Sequence, residues 1–339
     1  MGTRFLDEVE LYGRELAKQL FGAETADLRP LSGHIADLIA LASLTKPNDC
    51  IVCVSANDGG YPGIWKQGLP RILQLKVEGF PFQEEEMNID VDKAEESIKR
   101  TKPSLMIFGA SLFLFPHPVH RLSKVAREIG AKVAYDASHV LGLIAGKQFQ
   151  DPIREGAALM FGSTHKSFFG PQGGIILANK ESGAVISERI FPALVDNAHW
   201  NRIAALALAL AEAKEFGQEY AAQVVKNAQA LARALADYGF PVACSNLGFT
   251  KSHQVYLNYG GFGKGVEVAK RLERSNIITD CGVRLGVCEM TRRGMKQGEM
   301  MRTAEFIKRA IKDNEQPSKI RPEIIEFVKE FQEIGYCFR

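Results

Sequence analysis

Two short apolar runs, each followed at once by polar and charged residues, constrain the fold of this chain most strongly. Lys132-Val-Ala-Tyr135 ends at Asp136, and Leu159-Met-Phe-Gly-Ser163 leads to His165 and Lys166. We interpret both runs as buried strands, separated by about the length of one strand–helix unit. Because parallel strands present their carboxyl ends at one edge of a sheet, the carboxylate and the amine are expected to face a common crevice.

A buried carboxylate and an amine in one crevice suit a pyridine aldehyde such as pyridoxal 5'-phosphate. The carboxylate keeps the ring nitrogen protonated, which makes the ring an electron sink, and the amine forms an imine with the aldehyde. In the alternative interpretation, Asp136 caps a turn and Ser163-Thr-His-Lys166 is a surface loop. The cluster Gly170-Pro-Gln-Gly-Gly174 favours the cofactor, because glycines let the backbone turn tightly beside a bulky group.

These motifs resemble the serine hydroxymethyltransferase family, which comprises pyridoxal-phosphate enzymes of fold type I. In that family an Asp-x-Ala-His motif precedes Thr-His-Lys and then Gly-Pro-x-Gly-Gly. This chain has Asp136-Ala-Ser-His139 and Thr164-His-Lys166, so the aspartate and both histidines match while the residues between Asp136 and His139 differ. The resemblance implies that Lys166 forms the Schiff base, that His139 flanks the ring and that His165 shapes proton transfer.

The resemblance also implies the rest of a cofactor site. Ser32 and Gly33 begin an apolar helix where the family binds the cofactor phosphate, and Tyr61 replaces the family's ring-stacking histidine. Ser111 is expected near the phenolic oxygen of the ring. The complete predicted set is catalytic Lys166, His165 and His139, cofactor-binding Ser32, Gly33, Tyr61, Ser111, Asp136, His139, Ser163, His165 and Lys166, and substrate-binding Arg284.

Arg284 belongs to Gly282-Val-Arg-Leu-Gly286, which is similar to the family motif that supplies an arginine for the substrate carboxylate. A guanidinium suits this task because it is planar, always charged and able to donate two parallel hydrogen bonds. Arg292 and Arg293 are the alternatives, but we expect them at a helix start, facing solvent or the sheet.

Composition places limits on other functions. The net charge of the 339 residues is +2, which indicates no polyanionic partner such as nucleic acid, and no apolar run is long enough for a membrane span. The six cysteines are scattered and follow no secretory leader, so we expect free thiols and a cytoplasmic protein. No metal site is predicted.

The alternation of strands and helices predicts an α/β fold of type I, with a mostly parallel sheet flanked by helices and a small C-terminal α+β domain. We expect an N-terminal helix over residues 1–22, a large cofactor-binding domain over 23–217 and a small domain over 218–339. The helix bridging the two domains is expected to begin near Gln218, after a separate buried helix at Ile203–Ala211. The resemblance implies a homodimer with shared active sites.

Several departures from the family's sequence concern residues that bind folate in that family. Most of the family's N-terminal arm is expected to be missing, the loop before the arginine is reduced to Asn276–Gly282, and folate-side residues are replaced at Ala56, Tyr61 and Pro62. Val195-Asp-Asn-Ala198 replaces glycines that reach the partner subunit. Tetrahydrofolate is therefore a doubtful cofactor.

We therefore expect a pyridoxal-phosphate enzyme that breaks a Cα bond of a small α-amino acid. The reaction is either serine–glycine interconversion or folate-independent aldol cleavage of β-hydroxy amino acids. The alternatives are a racemase or another amino-acid enzyme with the same cofactor, and a non-catalytic protein that keeps only the fold.

Overall fold

The computed structural model describes residues 2–261 and 264–339. The chain divides into two compact units. The first comprises residues up to 84 together with 88–218, and the second comprises 85–87 together with 219–339. The N-terminal helix is part of the first unit.

The first unit alternates strands and helices along most of its length. Its elements are α1 (Arg4–Phe21), β1 (Thr25–Asp27), α2 (Gly33–Leu44), β2 (Cys50–Cys53), α3 (Leu69–Ile72), β3 (Lys76–Gly79), β4 (Phe82–Gln83), β5 (Asn88–Ile89), α4 (Val91–Thr101), β6 (Leu105–Phe108), α5 (Val119–Ile129), β7 (Lys132–Asp136), α6 (Leu141–Ala145), β8 (Leu159–Ser163), β9 (Gly174–Ala178) and α7 (Lys180–Arg189). Helix α8 (Trp200–Asp237) begins in this unit and ends in the second.

A seven-stranded sheet in the order β1-β9-β8-β7-β6-β2-β3 forms the centre of this unit. The five strands from β8 to β3 are parallel to their neighbours, whereas β9 is antiparallel to both β8 and β1. Every residue of β6, β8 and β9 is buried, which is why these strands read as unbroken apolar runs in the sequence. The predicted α/β class with a mostly parallel sheet is confirmed.

Helix α2 packs against β7, which ends at Asp136, against β8, which precedes Lys166, and against β9. Gly33 in its first turn lies directly against Ser163, the last residue of β8. The α2 side chains Ile39 and Leu41 are fully buried in the core. Burying one such side chain stabilises the fold by about 1.5–3 kcal/mol. The position of α2 relative to the strand ends is therefore fixed by core packing.

The helix α8 corrects two expectations. It is one continuous helix from Trp200, not a helix at Ile203–Ala211 and a second one from Gln218. An internal glycine, Gly217, suggests a break, but a single glycine costs a helix only about 1 kcal/mol and the flanking residues favour helix strongly. The helix is also not buried all round, since Leu208 is 55% exposed.

The second unit contains one small antiparallel sheet and several helices. Its elements are β10 (Gln254–Tyr256), α9 (Val266–Arg274), β11 (Arg284–Gly286), α10 (Cys288–Arg292), α11 (Gln297–Ile311) and α12 (Pro317–Lys329). Three helices follow β11 instead of the two expected, because the short α10 precedes the long pair. None of the helices in the described part of the chain combines the length and the apolar composition that crossing a bilayer requires.

Candidate active site

A cavity lies in the first unit, beside the carboxyl ends of the parallel strands. Polar and small residues line it, and they come from α2, from the segments that follow β2 and β6, and from β7, β8 and the segments after them. The lining residues are Gly33, His34, Asp37, Tyr61, Ser111, Asp136, Ser138, His139, Ser163 and Lys166. Seven residues of the predicted set are among them.

Asp136 is the last residue of β7 and is 6% exposed. Its Oδ1 accepts a hydrogen bond from the backbone N–H of Ser138 at 2.9 Å. Burial raises the pKa of Asp136, while the charge of Lys166 and the hydrogen bonds from Ser138 oppose that rise. Gly109 makes room for this arrangement, since its φ is +110° and a Cβ there would clash with the carbonyl oxygen of Asp136.

Lys166 follows β8 and reaches the histidine that follows β7. Its Nζ lies 3.3 Å from Nε2 of His139. The two strand ends are also tied together by Ser138, whose Oγ accepts a hydrogen bond from the backbone N–H of Ser163 at 2.9 Å. Carboxylate, amine and imidazole are thus held by adjacent parallel strands.

The first turn of α2 closes another side of the cavity. Ser32 is the N-cap, and its Oγ accepts a hydrogen bond from the backbone N–H of Ile35 at 3.1 Å. Gly33 packs so closely on Ser163 that a Cβ at this position would clash with Oγ of Ser163. No acidic residue lies in this first turn, so its backbone N–H groups and the positive end of the helix dipole favour an anion there.

Tyr61 and His34 form a pair in the cavity wall. The phenolic oxygen of Tyr61 lies 3.1 Å from Nδ1 of His34, and the two rings meet edge to face, with centroids 6.0 Å apart. Burial raises the pKa of Tyr61, and the negative charge of Asp136 raises it further, which keeps the phenol protonated. The backbone N–H of Ser111 donates to the carbonyl of Gly59, which ties the segment after β6 to the one that carries Tyr61.

His165 lies apart from this group. Its side chain is exposed, and it does not line the cavity with its neighbour Lys166. Partial burial and the charge of Lys166 lower the pKa of His165, against a hydrogen bond with the backbone of Gly173. This imidazole is therefore neutral around pH 7.

Arg284 is the first residue of β11 in the second unit. Its Nε lies 2.9 Å from Oδ2 of Asp280, and its backbone N–H donates to Oδ1 of the same carboxylate at 2.9 Å. The alternatives, Arg292 and Arg293, lie at the end of α10 and not at a helix start. Both donate to backbone carbonyls near the C-terminus, those of Tyr336 and Phe331.

Three lining residues were not predicted from the sequence: His34, Asp37 and Ser138. Asp37 is the only charged residue of α2 and is 2% exposed, with no hydrogen-bond partner for its Oδ1. A lone acidic residue in an otherwise apolar helix was the available signal for it. His34 and Ser138 gave no comparable signal, because each stands beside a motif residue without any distinctive spacing.

The donor groups of the cavity fit pyridoxal phosphate. A carboxylate at a strand end suits the ring nitrogen, the amine of Lys166 suits the aldehyde, and the start of α2 suits a phosphate. The unpartnered Oδ1 of Asp37 shows in addition that the cavity has polar capacity that the protein itself does not satisfy.

Comparison with known proteins agrees with this geometry. The family model described as serine hydroxymethyltransferase matches residues 1–307. The chain is 48% identical to serine hydroxymethyltransferase of Methanocaldococcus jannaschii, over 99% of this chain and 83% of that protein, and 45% identical to that of Thermococcus gammatolerans, over 99% and 84%.

A crystal structure of L-threonine transaldolase from Pseudomonas fluorescens superposes with a TM-score of 0.94 at 30% identity, covering all of this chain and 80% of that one. The resemblance seen in the sequence is thereby confirmed, and with it an enzyme whose cofactor is pyridoxal phosphate. The chain belongs to the serine hydroxymethyltransferase family.

Proposed function

We propose that this enzyme cleaves the Cα–Cβ bond of small β-hydroxy α-amino acids without needing tetrahydrofolate. The observation that carries the proposal is the single cavity in which Lys166, His139 and Asp136 meet. The transaldolase whose fold is so similar acts, by its name, on L-threonine, which is a β-hydroxy amino acid.

Different residues of the cavity would hold different parts of the cofactor. Lys166 would hold the aldehyde carbon through Nζ, Asp136 would hold the proton on the ring nitrogen, and the first turn of α2 with Ser32 and Gly33 would hold the phosphate. Tyr61 would offer an aromatic face to the ring. Once bound, pyridoxal phosphate supplies the electron sink for the electron pair of the breaking Cα bond.

The remaining residues serve the substrate and its protons. Arg284 binds the substrate carboxylate, and Asp280 fixes the guanidinium through Nε. At 3.3 Å, Nε2 of His139 can take a proton from Nζ of Lys166, which frees the amine lone pair. The serines Ser111 and Ser163 supply hydroxyl groups to the cavity.

The short connection before β11 supports folate independence. The chain passes from the end of α9 to β11 through residues 275–283 alone, and Ile278 in this connection is 88% exposed. A pterin ring needs polar partners for each buried N–H and carbonyl, and an unpaired one costs about 1–3 kcal/mol. A connection this short offers few polar groups that could pair with the N–H and carbonyl groups of a bound pterin.

The test is aldehyde release from L-phenylserine and L-allo-threonine, with and without tetrahydrofolate, beside L-serine under the same conditions. We expect benzaldehyde and acetaldehyde at rates that tetrahydrofolate changes less than twofold. Conversion of L-serine to glycine that rises more than tenfold with micromolar tetrahydrofolate, without aldehyde release in its absence, would overturn the proposal. Chiral analysis of the remaining amino acid detects a racemase.

The second candidate is hydroxymethyl transfer from serine to tetrahydrofolate. The names of the relatives from M. jannaschii and T. gammatolerans favour it, at 48% and 45% identity over nearly the whole chain. The serine arm of the same experiment decides between the two. Absence of a protein-bound visible band, after pyridoxal phosphate has been added and the unbound cofactor removed, would instead indicate the non-catalytic alternative.

A cytoplasmic homodimer is also part of the proposal. Large apolar side chains on α1 are exposed in the single chain, with Phe5 at 74%, Leu11 at 61% and Tyr12 at 63%. Such a group commonly marks a protein–protein interface. The cysteines of the chain are all free thiols, which agrees with a reducing compartment. Light scattering after gel filtration tests the dimer.

A further inference from the structure

Asp37 is a buried carboxyl group whose presence the fold alone does not explain. It lies in the second turn of α2, where its neighbours Ala36, Ile39 and Ala40 are fully buried apolar residues. Its own side chain is 2% exposed, and Oδ1 has no hydrogen-bond partner. An unpartnered buried carboxyl destabilises a protein, and such groups are retained where a ligand uses them.

The carboxyl group lines the same cavity as Asp136 and Lys166. The titratable groups around it include Asp136 of β7, Lys166 after β8, Cys53 of β2 and Tyr61, which interact with it electrostatically, and the imidazoles of His34 and His139, which line the same cavity. Burial raises the pKa of the Cys53 thiol to about 12, and the pKa of Tyr61 is raised too, so both of these groups are neutral. Asp136 and Lys166 are therefore the two groups whose charges shift the pKa of Asp37.

The burial of Asp37 and the two neighbouring charges determine which protonation state is favoured. Burial raises its pKa well above the ordinary value, the negative charge of Asp136 raises it further, and Lys166 opposes both. These effects together favour the protonated carboxyl group, which presents an O–H donor. An ionised Asp37 would bring a second negative charge into a cavity that takes an anionic phosphate ester.

We propose that Asp37 is a further cofactor-binding residue, which donates a hydrogen bond from its protonated carboxyl group to an acceptor oxygen of pyridoxal phosphate. This inference rests on the proposed position of the cofactor in the cavity. It has a direct consequence for affinity: when Asp37 loses its proton, the donor becomes a repelling charge, so cofactor binding weakens as pH rises.

The test measures the dissociation constant of pyridoxal phosphate by equilibrium dialysis across a pH series, for wild type and Asp37→Asn. The amide has nearly the same shape, keeps a donor and cannot ionise. Wild-type affinity should fall by up to about tenfold per pH unit above the pKa of Asp37, and Asp37→Asn should lack this part of the fall. Asp90→Asn, a change at the N-cap of α4, is the matched control and should follow wild type.

A second measurement needs only the wild type and Asp37→Asn without cofactor. The infrared band of a protonated carboxyl group should be stronger in wild type at neutral pH, and a difference spectrum isolates Asp37. Identical pH dependence of affinity in the two proteins, or no such band, would overturn the inference while leaving the proposed function intact. A wild type that does not retain the cofactor on Lys166 would overturn both.

Discussion

Nζ of Lys166 lies 3.3 Å from Nε2 of His139, although the two residues follow different strands of the sheet. The contact depends on the parallel pairing of β7 with β8, which brings the carboxyl ends of the two strands together. An amine and an imidazole at this distance can share one proton. The arrangement makes Lys166 the one amine that lines the cavity among the residues the structure describes.

Lys166→Ala should abolish covalent retention of the cofactor. Borohydride reduction of the loaded protein followed by peptide mapping should find the label on Lys166 in wild type and no label in the variant. Lys132→Ala, at the start of β7, is the control and should label as wild type does. A label on another lysine of the wild type would refute the assignment.

Asp136→Ala should keep measurable cofactor binding but lose at least about 100-fold in kcat. Without the carboxylate the ring nitrogen loses its proton, and the electron sink is weakened. Affinity by dialysis and turnover with L-phenylserine separate the two effects. Turnover equal to that of wild type would remove Asp136 from the site.

Arg284→Lys should weaken amino-acid binding by about 2–5 kcal/mol while leaving cofactor affinity unchanged, because lysine offers a point charge where a planar fork is needed. The readout is KM for the amino acid beside the dissociation constant of the cofactor. Arg293→Lys, which alters a contact with the carbonyl of Phe331, is the control. An unchanged KM for Arg284→Lys would transfer the role to another residue.

Asp280→Asn should have a smaller effect of the same kind. The amide still accepts one hydrogen bond, but it no longer neutralises the guanidinium that it holds through Nε. We expect KM to rise less than in Arg284→Lys, with kcat nearly constant, since positioning of the arginine is affected and not the chemistry. A fall in kcat at constant KM would show that Asp280 affects the chemical step and not the position of Arg284.

The sequence predicted the parts of the site that depend on local order. Asp136 and Lys166 could be placed because each directly follows an apolar strand, and a parallel sheet aligns such ends. The pair of His34 with Tyr61 could not be predicted, since 27 residues separate the two side chains and only the tertiary structure brings them together. Asp37 was missed for another reason: a lone acidic residue in an apolar helix is a visible signal, but it does not show which face of α2 lies beside the strand ends. Helix α8 was expected as two helices but is one. The cost of about 1 kcal/mol that Gly217 imposes on a helix is outweighed by the helix-favouring residues on both sides of it.

Asp37→Asn should make the cofactor-free protein more stable than wild type at neutral and alkaline pH. In the unfolded chain Asp37 ionises near its ordinary pKa of about 3.9, while burial raises the pKa of the folded state. Between the two values only the folded state keeps the proton, so wild-type stability falls as pH rises through this window. The difference should grow by about 1.4 kcal/mol per pH unit there and vanish below it. Urea unfolding at several pH values measures it.

Tyr61 offers a test of ring stacking that separates the ring from its hydroxyl group. Tyr61→Phe keeps the aromatic face and loses only the hydrogen bond with Nδ1 of His34 at 3.1 Å. Cofactor affinity should therefore stay within about threefold of wild type. Tyr61→Ala removes the face as well, and loss of an aromatic contact worth about 0.5–1.5 kcal/mol beyond its buried area should weaken affinity at least about tenfold.

The comparison of the two variants decides which part of Tyr61 holds the cofactor. Equal loss of affinity in Tyr61→Phe and Tyr61→Ala would mean that the hydroxyl group, and not the ring face, holds the cofactor.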